Sequence, residues 1–368
     1  MKILHLIPDF SVKMGGPALA LESLCNALNK REVEQTVVSL YTNDFELSDV
    51  EMISCNSSDK AFGYSLKFKK WLKANLQKFD LVQIHSIWLY HSYLASNLCR
   101  KYKIPYVVRL CGMLDEWSMQ QKSLKKNLYL KLIEKKNLQN AWAIHCATNE
   151  EVISSKIMSI NKNVIVCPIP INRAFFSESQ VGRKKNQLLF LGRLHYKKQP
   201  ELLIEALANG VFEEFKLVIA GDGDKKYVES LKSKVDKAGL TKRVDFRGFI
   251  SGNEKISLFR ESSFFILPSL QENFGVAVAE SMASGCVPVV SQAVALSNTI
   301  TQENCGIVFG SNKIDLHNAL KIVKGLSSSE RATMSNNSKS FAAKSYHPDI
   351  VADQFLNLYK NLVNAKAN

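Results

Sequence analysis

Glu272 and Glu280 have seven residues between them in Leu270-Gln271-Glu272-Asn273-Phe274-Gly275-Val276-Ala277-Val278-Ala279-Glu280. A glycine turn follows the first carboxylate, and an apolar pattern with helical spacing leads to the second. Upstream, Ser263-Phe264-Phe265-Ile266-Leu267-Pro268-Ser269 reads as a buried strand leaving a sheet. The order is therefore strand, loop carrying Glu272, then a helix carrying Glu280 about two turns in. The amides of Asn273, Phe274 and Gly275 would point from the positive end of that helix, where a phosphate or another electron-rich group is favoured. A carboxylate on the loop and another along the helix can then accept hydrogen bonds from the hydroxyls of a sugar and of a ribose. The layout suits a nucleotide-sugar.

Other groups with chemical potential follow predicted strand ends. Gly15-Gly16 comes after the first apolar run and permits close backbone approach to a phosphate; taken alone, the pair reads better as a plain turn. His85 closes Asp80-Leu81-Val82-Gln83-Ile84-His85. It is placed to orient an acceptor hydroxyl or to bond a donor-sugar hydroxyl; the alternative is a satisfied polar residue at a strand end. His91, His145, His317 and His347 show no spacing that suggests a metal. The eight cysteines, at 25, 55, 99, 111, 146, 167, 286 and 305, include no Cys-x-x-Cys pair. Several lie inside apolar runs, where a thiol acts as a small hydrophobe. Reduced thiols in a cytoplasmic protein are expected, without a disulfide framework or zinc site.

These groups need a scaffold, and short apolar runs alternating with longer amphipathic segments supply one. Candidate strands in the first half are Lys2–Ile7, Gln35–Leu40, Asp80–His85, Pro105–Leu110, Ala141–Ala147 and Val164–Cys167. The second half offers Gln187–Leu191, Lys216–Ala220, Arg243–Phe246, Ser263–Pro268, Val287–Ser291 and Gly306–Phe309. The chain of 368 residues is too long for one ordinary core. Two doubly wound units follow: an N-terminal one over 1–172, completed by a last helix over 349–368, and a C-terminal one over 173–348. Pro168 to Lys185, with two prolines, a glycine and a basic run, is the natural linker. Ligands in such folds bind at the carboxyl ends of the strands. Asp9, His85 and Gly112 follow strand ends in one half, and Gly192-Arg193, Gly221, Phe249 and Glu272 in the other. Hydrophobic content of 46% with 22% charged residues is that of a soluble globular protein, with no apolar run long enough to span a bilayer. Met1 to Ile7 leads straight into Pro8-Asp9 and reads as a strand, too short for a signal-peptide core.

The Glu-x7-Glu segment resembles the signature of retaining GT-B glycosyltransferases. Leu191-Gly192-Arg193 with Lys198, Val218-Ile219-Ala220-Gly221-Asp222-Gly223, Val244-Asp245-Phe246-Arg247-Gly248-Phe249 and Met282-Ala283-Ser284-Gly285-Cys286-Val287-Pro288 extend the resemblance in order. The chain is similar to glycosyltransferase family 4. Gly15-Gly16-Pro17, His85, and Cys111-Gly112-Met113-Leu114 with Trp117 are similar to a subgroup that builds bacterial surface polysaccharides. The resemblance implies two Rossmann-like domains facing a central cleft, with the donor on the C-terminal one and the acceptor on the N-terminal one. It implies that Arg193 and Lys198 clamp the donor phosphates and that Gly221 and Phe249 border the nucleotide. It further implies that the last helix crosses back to the first domain, and that cationic side chains do the work of a metal, so no cofactor is expected. Gly221-Asp222-Gly223-Asp224, which could pass for an acidic metal motif, then reads as the turn under the nucleotide. Cys111 departs from the pattern, since the subgroup carries a basic or imidazole group there; Arg109, two residues back on an extended strand, would share its face.

The formal charge of +14 calls for an anionic partner. No helix-turn-helix, zinc-finger or RNP signature points to nucleic acid. Lys67, Lys69, Lys70, Lys73 and Lys78 occur without an intervening acid, beside an apolar row of Phe68, Leu72, Leu76 and Phe79 that reads as a core face. A second run holds Lys122, Lys125, Lys126, Lys131, Lys135 and Lys136 against Glu134 alone. Both lie in the half that would receive the acceptor. They fit either a solubilising face or a lipid-pyrophosphate acceptor at an anionic inner membrane. The expected activity is transfer of a hexose or N-acetylhexosamine from a UDP- or GDP-sugar to a growing, lipid-linked oligosaccharide, in O-antigen, capsule or exopolysaccharide synthesis. The alternatives are a sugar-nucleotide epimerase on the same fold and a non-catalytic basic binding protein.

Overall fold

Runs rich in Val, Ile and Leu become all-parallel strands because both their faces are buried under helices. The computed structural model describes residues 1–177 and 182–367. It divides into one unit made of Met1–Pro170 with the chain from Pro348 onward, and a second made of Ile171–His347. The boundary falls two residues before the one read from the sequence, because the Ile171 amide donates to the Tyr346 carbonyl (2.9 Å) and so joins the second unit. Residues 178–181 of the expected linker lie outside the described residues.

The first unit holds β1 (Lys2–Ile7), β2 (Glu34–Ser39), β3 (Val50–Ser54), β4 (Leu81–His85), β5 (Tyr106–Arg109), β6 (Ala143–Cys146) and β7 (Val164–Val166) in the order β3-β2-β1-β4-β5-β6-β7. The sequence pattern lacks β3. This edge strand is mostly half-buried, and Glu51 interrupts its apolar run. The helices are α1 (Gly16–Asn29), α2 (Leu66–Asn75), α3 (Tyr90–Tyr102), α4 (Glu116–Gln120), α5 (Ser123–Tyr129), α6 (Lys135–Gln139) and α7 (Asn149–Ser155). A π-helical turn, Leu130–Glu134, joins α5 to α6.

Side chains alternate across a strand, so each strand feeds two cores. Leu4, Leu6, Val82, Ile84 and Val108 pack with Phe68 and Leu72 of α2 and Leu94 and Leu98 of α3. Phe68, Leu72 and Leu76 are fully buried, so the apolar row of the first lysine run is a core face. On the other side Ile3, Leu81, Val107 and Ala143 meet Leu24 and Leu28 of α1. The C-terminal helix Pro348–Ala367 completes this core with Val351, Phe355 and Tyr359. Arg31 fixes it through Asp353 (2.6 Å), and the Tyr359 hydroxyl donates to Gln83 (3.2 Å). Fully burying one such large side chain contributes about 1.5–3 kcal/mol.

The second unit carries β8 (Lys184–Leu191), β9 (Lys216–Ala220), β10 (Val244–Gly248), β11 (Ser262–Leu267), β12 (Val287–Ser291) and β13 (Ile307–Phe309), in the order β10-β9-β8-β11-β12-β13. Its helices are α8 (Pro200–Leu207), α9 (Lys225–Lys237), α10 (Gly252–Glu261), α11 (Val276–Ala283), α12 (Ser297–Gln302), α13 (Lys313–Gly325) and α14 (Ser328–Ser345). Strand order reverses between β1 and β4 in the first sheet and between β8 and β11 in the second. Loops leaving the strands at such a switch point form the ligand crevice of doubly wound sheets. The loops after β1 and β4 bear Gly15-Gly16 and follow His85; those after β8 and β11 bear Arg193, Lys198 and Glu272. Among the described residues no helix is long and apolar enough to cross a membrane. The eight cysteines are free thiols, seven of them buried and Cys111 half-buried.

Candidate active site

In the second unit, three strand-end loops close on one another through glycine. Gly221 has φ 138°, and a Cβ there would lie 1.9 Å from the Gly192 carbonyl oxygen. The Gly192 amide donates to Ala220 (3.0 Å), and the Gly221 amide to Gly248 (2.7 Å), so the turns after β8, β9 and β10 pack backbone on backbone. Gly223 stands equally close to the Leu194 carbonyl. Gly221→Ala therefore combines backbone strain with overlap, about 2–4 kcal/mol together. The expected result is a melting temperature lower by about 5–15 °C in a circular-dichroism melt. An unchanged melt would show that the three loops do not meet.

Glu272 sits in a pinned loop. Its amide donates to Ala293 (3.0 Å) and its carbonyl accepts from Ala295 (3.0 Å), which makes a short parallel bridge to the segment after β12. Its Oε1 accepts from the Ser269 hydroxyl (2.9 Å) and from Lys198 Nζ. The Leu270 amide donates to the Lys197 carbonyl (2.8 Å), which zips the loop after β11 to the loop after β8. The structure thus brings Lys198 and Glu272 into one ion pair whose side chains are 22% and 14% exposed. Arg193, Asn273 and Phe249 lie on the same group of strand-end loops, with Arg193 exposed and Phe249 52% exposed. Asp222 accepts from Gly223 (2.8 Å), and Asp224 caps α9 by accepting from Tyr227 (3.2 Å). Those two carboxylates serve the local turn.

Two features of the Glu-x7-Glu segment differ from the sequence expectation. Helix α11 begins at Val276 with Gly275 as a left-handed cap (φ 81°), so Glu280 lies just over one turn in. Phe274 is 4% exposed and packs edge-on against Tyr346 at 5.4 Å, which makes its side chain a core contact. Glu280 itself is 4% exposed. Its Oε1 accepts from Lys255 Nζ of α10 at 2.6 Å, while Oε2 is buried with no protein partner. Burial holds the Glu280 carboxyl above its ordinary range, and Lys255 offsets part of that. Oε2 is the acceptor left for a hydroxyl. No motif marks Lys255; only the packing of α10 beside α11 reveals it.

In the first unit Gly15 has φ 77° and leads into α1, which starts at Gly16 with Pro17 in its first turn. Nothing lies within 4 Å of a Cβ placed on Gly15, so close approach from outside is open. His85 ends β4 at 1% exposure. Its Nε2 meets Nδ1 of His5 at 3.3 Å, and its Nδ1 has no protein partner. Burial, then His5 and Arg109, push its basicity well below the usual imidazole value, so the ring is neutral. His5, like Lys255, is a partner that sequence spacing does not show; it lies one strand over, with His5 paired to Gln83 in register. Arg109 is 6% exposed and registers with both His85 and His145. Cys111 does not continue its strand face: β5 ends at Arg109, and Cys111 adopts a left-handed turn (φ 53°). The next amide, Gly112, donates to Glu151 (2.7 Å).

Comparisons with known proteins agree with this architecture. Residues 172–341 match the family described as glycosyl transferases group 1, and residues 15–153 match the glycosyl transferase 4-like domain. An uncharacterized glycosyltransferase of Methanocaldococcus jannaschii is 29% identical over 309 residues, covering 77% of this chain and 76% of its own. The GDP-mannose:cellobiosyl-diphosphopolyprenol alpha-mannosyltransferase of Xanthomonas campestris is 21% identical over 328 residues, 85% and 84% of the two chains. Anabaena HepE, solved in complex with UDP-glucose, superposes with a TM-score of 0.80 at 17% identity, over 98% of this chain and 100% of its own. Fold and domain matches together define a GT-B glycosyltransferase. Its C-terminal unit is of the group 1 type and its N-terminal unit of the 4-like type.

Proposed function

We propose that the protein is a retaining transferase that moves a hexose or N-acetylhexosamine from a UDP- or GDP-sugar onto a lipid-pyrophosphate-linked oligosaccharide. The observation that carries the donor side is the pinned loop that holds Glu272 against Lys198, beside the glycine contact of Gly192 with Gly221. Breaking the anomeric bond to a pyrophosphate builds positive charge on the sugar and negative charge on the leaving phosphate. In this reading Arg193 and Lys198 meet the leaving phosphates, Glu272 holds the donor-sugar hydroxyls, and Glu280 Oε2 accepts from the ribose. Gly15 and Gly16 let the backbone approach the donor phosphate, and neutral His85 orients a hydroxyl. The amides around Asn273, Phe274 and Gly275 lie toward the phosphates, with Gly221 and Phe249 at the nucleotide. Cationic side chains and helix ends carry the phosphate charge, so transfer is expected to persist in chelator. HepE was solved with UDP-glucose, which supports a nucleotide-sugar donor. The Xanthomonas relative, named for a cellobiosyl-diphosphopolyprenol acceptor, supports a lipid-linked acceptor. In this reading the enzyme works at the inner face of a membrane in polysaccharide synthesis.

A thermal-shift panel of UDP, GDP, ADP, dTDP and CMP with their sugar conjugates tests the donor. A ligand at 100 times its dissociation constant adds about 2.7 kcal/mol, a shift of several degrees. One responding base, with its diphosphate and diphosphosugar both active, is the expected outcome. A flat panel in the presence and absence of a lipid-pyrophosphate acceptor would overturn the reading. The anomeric configuration of the product, read by NMR, decides retention.

A further inference from the structure

Helix α5 and the π turn after it present an apolar edge to solvent. Leu124, Leu128 and Leu132 are 88%, 60% and 67% exposed, and their spacing of four keeps them on one side of the helix. The inward side belongs to other residues: Tyr129 and Leu130 are half-buried, and Glu134 and Leu138 are 0% exposed. The π turn accommodates one extra residue per hydrogen-bonded ring, so the outward row runs through it without breaking. Lys122, Lys125, Lys131, Lys135 and Lys136 are all exposed along the same stretch, whose one acid, Glu134, is buried. Lys126, part of the same run in sequence, turns inward and donates to the Ser118 carbonyl (2.6 Å). The apolar surface continues by ring contacts: Tyr129 meets Phe62 at 6.1 Å and Phe62 meets Tyr93 at 6.4 Å. Tyr93, Tyr64 and Leu66 are 37%, 49% and 52% exposed.

We infer that the Leu124–Leu128–Leu132 row is a docking surface for an anionic lipid bilayer. The leucines would enter the boundary between headgroups and acyl chains, and the surrounding lysines would reach the lipid phosphates. Long lysine stems lie along apolar surface while their ammonium groups stay in the polar layer. Charge selects this occupant. A second copy of the chain, packed isologously on the row, would bring the same lysines face to face with no exposed acid between them. The inference deepens the proposed membrane-bound acceptor by assigning the surface that meets the lipid, and it rests on that reading for its biological use alone.

The test is co-sedimentation of the full chain with phosphatidylcholine vesicles and with phosphatidylcholine–phosphatidylglycerol vesicles, without donor or acceptor. The wild type should prefer the anionic vesicles and release as salt rises. L124S/L128S/L132S should lower the partition coefficient at least tenfold on those vesicles, with an unchanged melting temperature and an unchanged nucleotide-diphosphate shift. K125E/K131E/K135E should remove the preference for phosphatidylglycerol. Serine-variant binding equal to wild type, or no wild-type binding to anionic vesicles, would overturn the inference. So would a wild-type dimer in sedimentation velocity that the serine variant converts to monomer, since the row would then be a self-association face. A flat nucleotide panel with vesicle binding intact would count against the transferase reading and leave the docking surface standing.

Discussion

Glu280→Ala is expected to lose donor binding and stability together. The carboxylate is 4% exposed, and Lys255, with a side chain 12% exposed, is its partner at 2.6 Å. Removing one member of a buried pair leaves the other charge without compensation, at about 3–5 kcal/mol, or roughly 10 °C or more in melting temperature for a unit of this size. Transfer should also fall by roughly a hundredfold or more, because hydrogen bonds to a charged group are worth about 1.5–3 kcal/mol each and a ribose offers two hydroxyls. The two losses separate by design. In Glu280→Gln/Lys255→Met both charges are gone, so stability should return toward wild type while transfer stays low. Near-normal transfer in the double variant would remove Glu280 from the donor site. A Glu280→Ala melt equal to wild type would mean that Lys255 is solvated.

Mild acid is expected to destabilise the first unit through its buried histidines. His5, His85, His91 and His145 are 0%, 1%, 0% and 1% exposed. Burial lowers His5 and His91 to about 4 and His145 to about 3, and holds His85 well below the usual value. The groups facing them are Arg109, Gln35, Gln83 and the Phe355 ring, which add positive charge or none. Nε2 of His145 donates to the Cys167 carbonyl (2.8 Å) and Nε2 of His91 to that of His85 (2.9 Å), both compatible with neutral rings. The folded unit therefore holds these imidazoles neutral, while the unfolded chain takes up protons from about pH 6.5 downward. Their contribution is complete above that pH and is lost as pH falls toward about 4, where the folded state starts to bind the same protons. Each ring accounts for about 1.4 kcal/mol per pH unit in that window. Four rings remove about 5 kcal/mol per unit. Glu134, whose carboxyl is raised by burial to about 7, returns about 1.4 because its folded form takes up a proton in the same window. The net loss of about 4 kcal/mol per unit is comparable with the whole stability of a marginal domain. Urea melts at pH 7.5, 6.5, 5.5 and 5.0 check this, with net proton uptake on unfolding rising toward three, four rings less the proton already on Glu134. A midpoint that stays level from pH 7.5 to 5.0 would refute it. Carboxylates held low by ion pairs, such as Asp353 beside Arg31 and Glu261 beside Lys184, act in the same direction at lower pH.

Much of the scaffold is legible in the chain because a parallel strand buried on both faces must be continuously apolar. Lys2–Ile7, Lys216–Ala220 and Val287–Ser291 stand at the positions their sequences predict. β3 escaped because an edge strand with one wet side carries no such run, and Glu51 interrupts it. The Glu-x7-Glu segment and the Gly221 and Gly248 turns are local, and backbone conformations that demand glycine leave their mark in sequence.

Partnership is different, because the chain gives no spacing rule for groups on separate elements. Lys255 reaches Glu280 across two helices, His5 reaches His85 across two neighbouring strands, and Lys198 reaches Glu272 across two loops. The same limit applies to the lysine runs. Composition places both in the acceptor half without sorting their side chains, yet Lys126 turns inward while Leu124, Leu128 and Leu132 turn out. Spacing shows that the leucines share a side, but only the packing of the neighbouring elements, which buries Glu134 and Leu138, decides which side is covered. The sequence by itself determined which strands and turns exist, because apolar runs and glycine positions act through near neighbours. The tertiary structure alone decided which charges are paired and which apolar rows are left open, because burial depends on the elements packed against them.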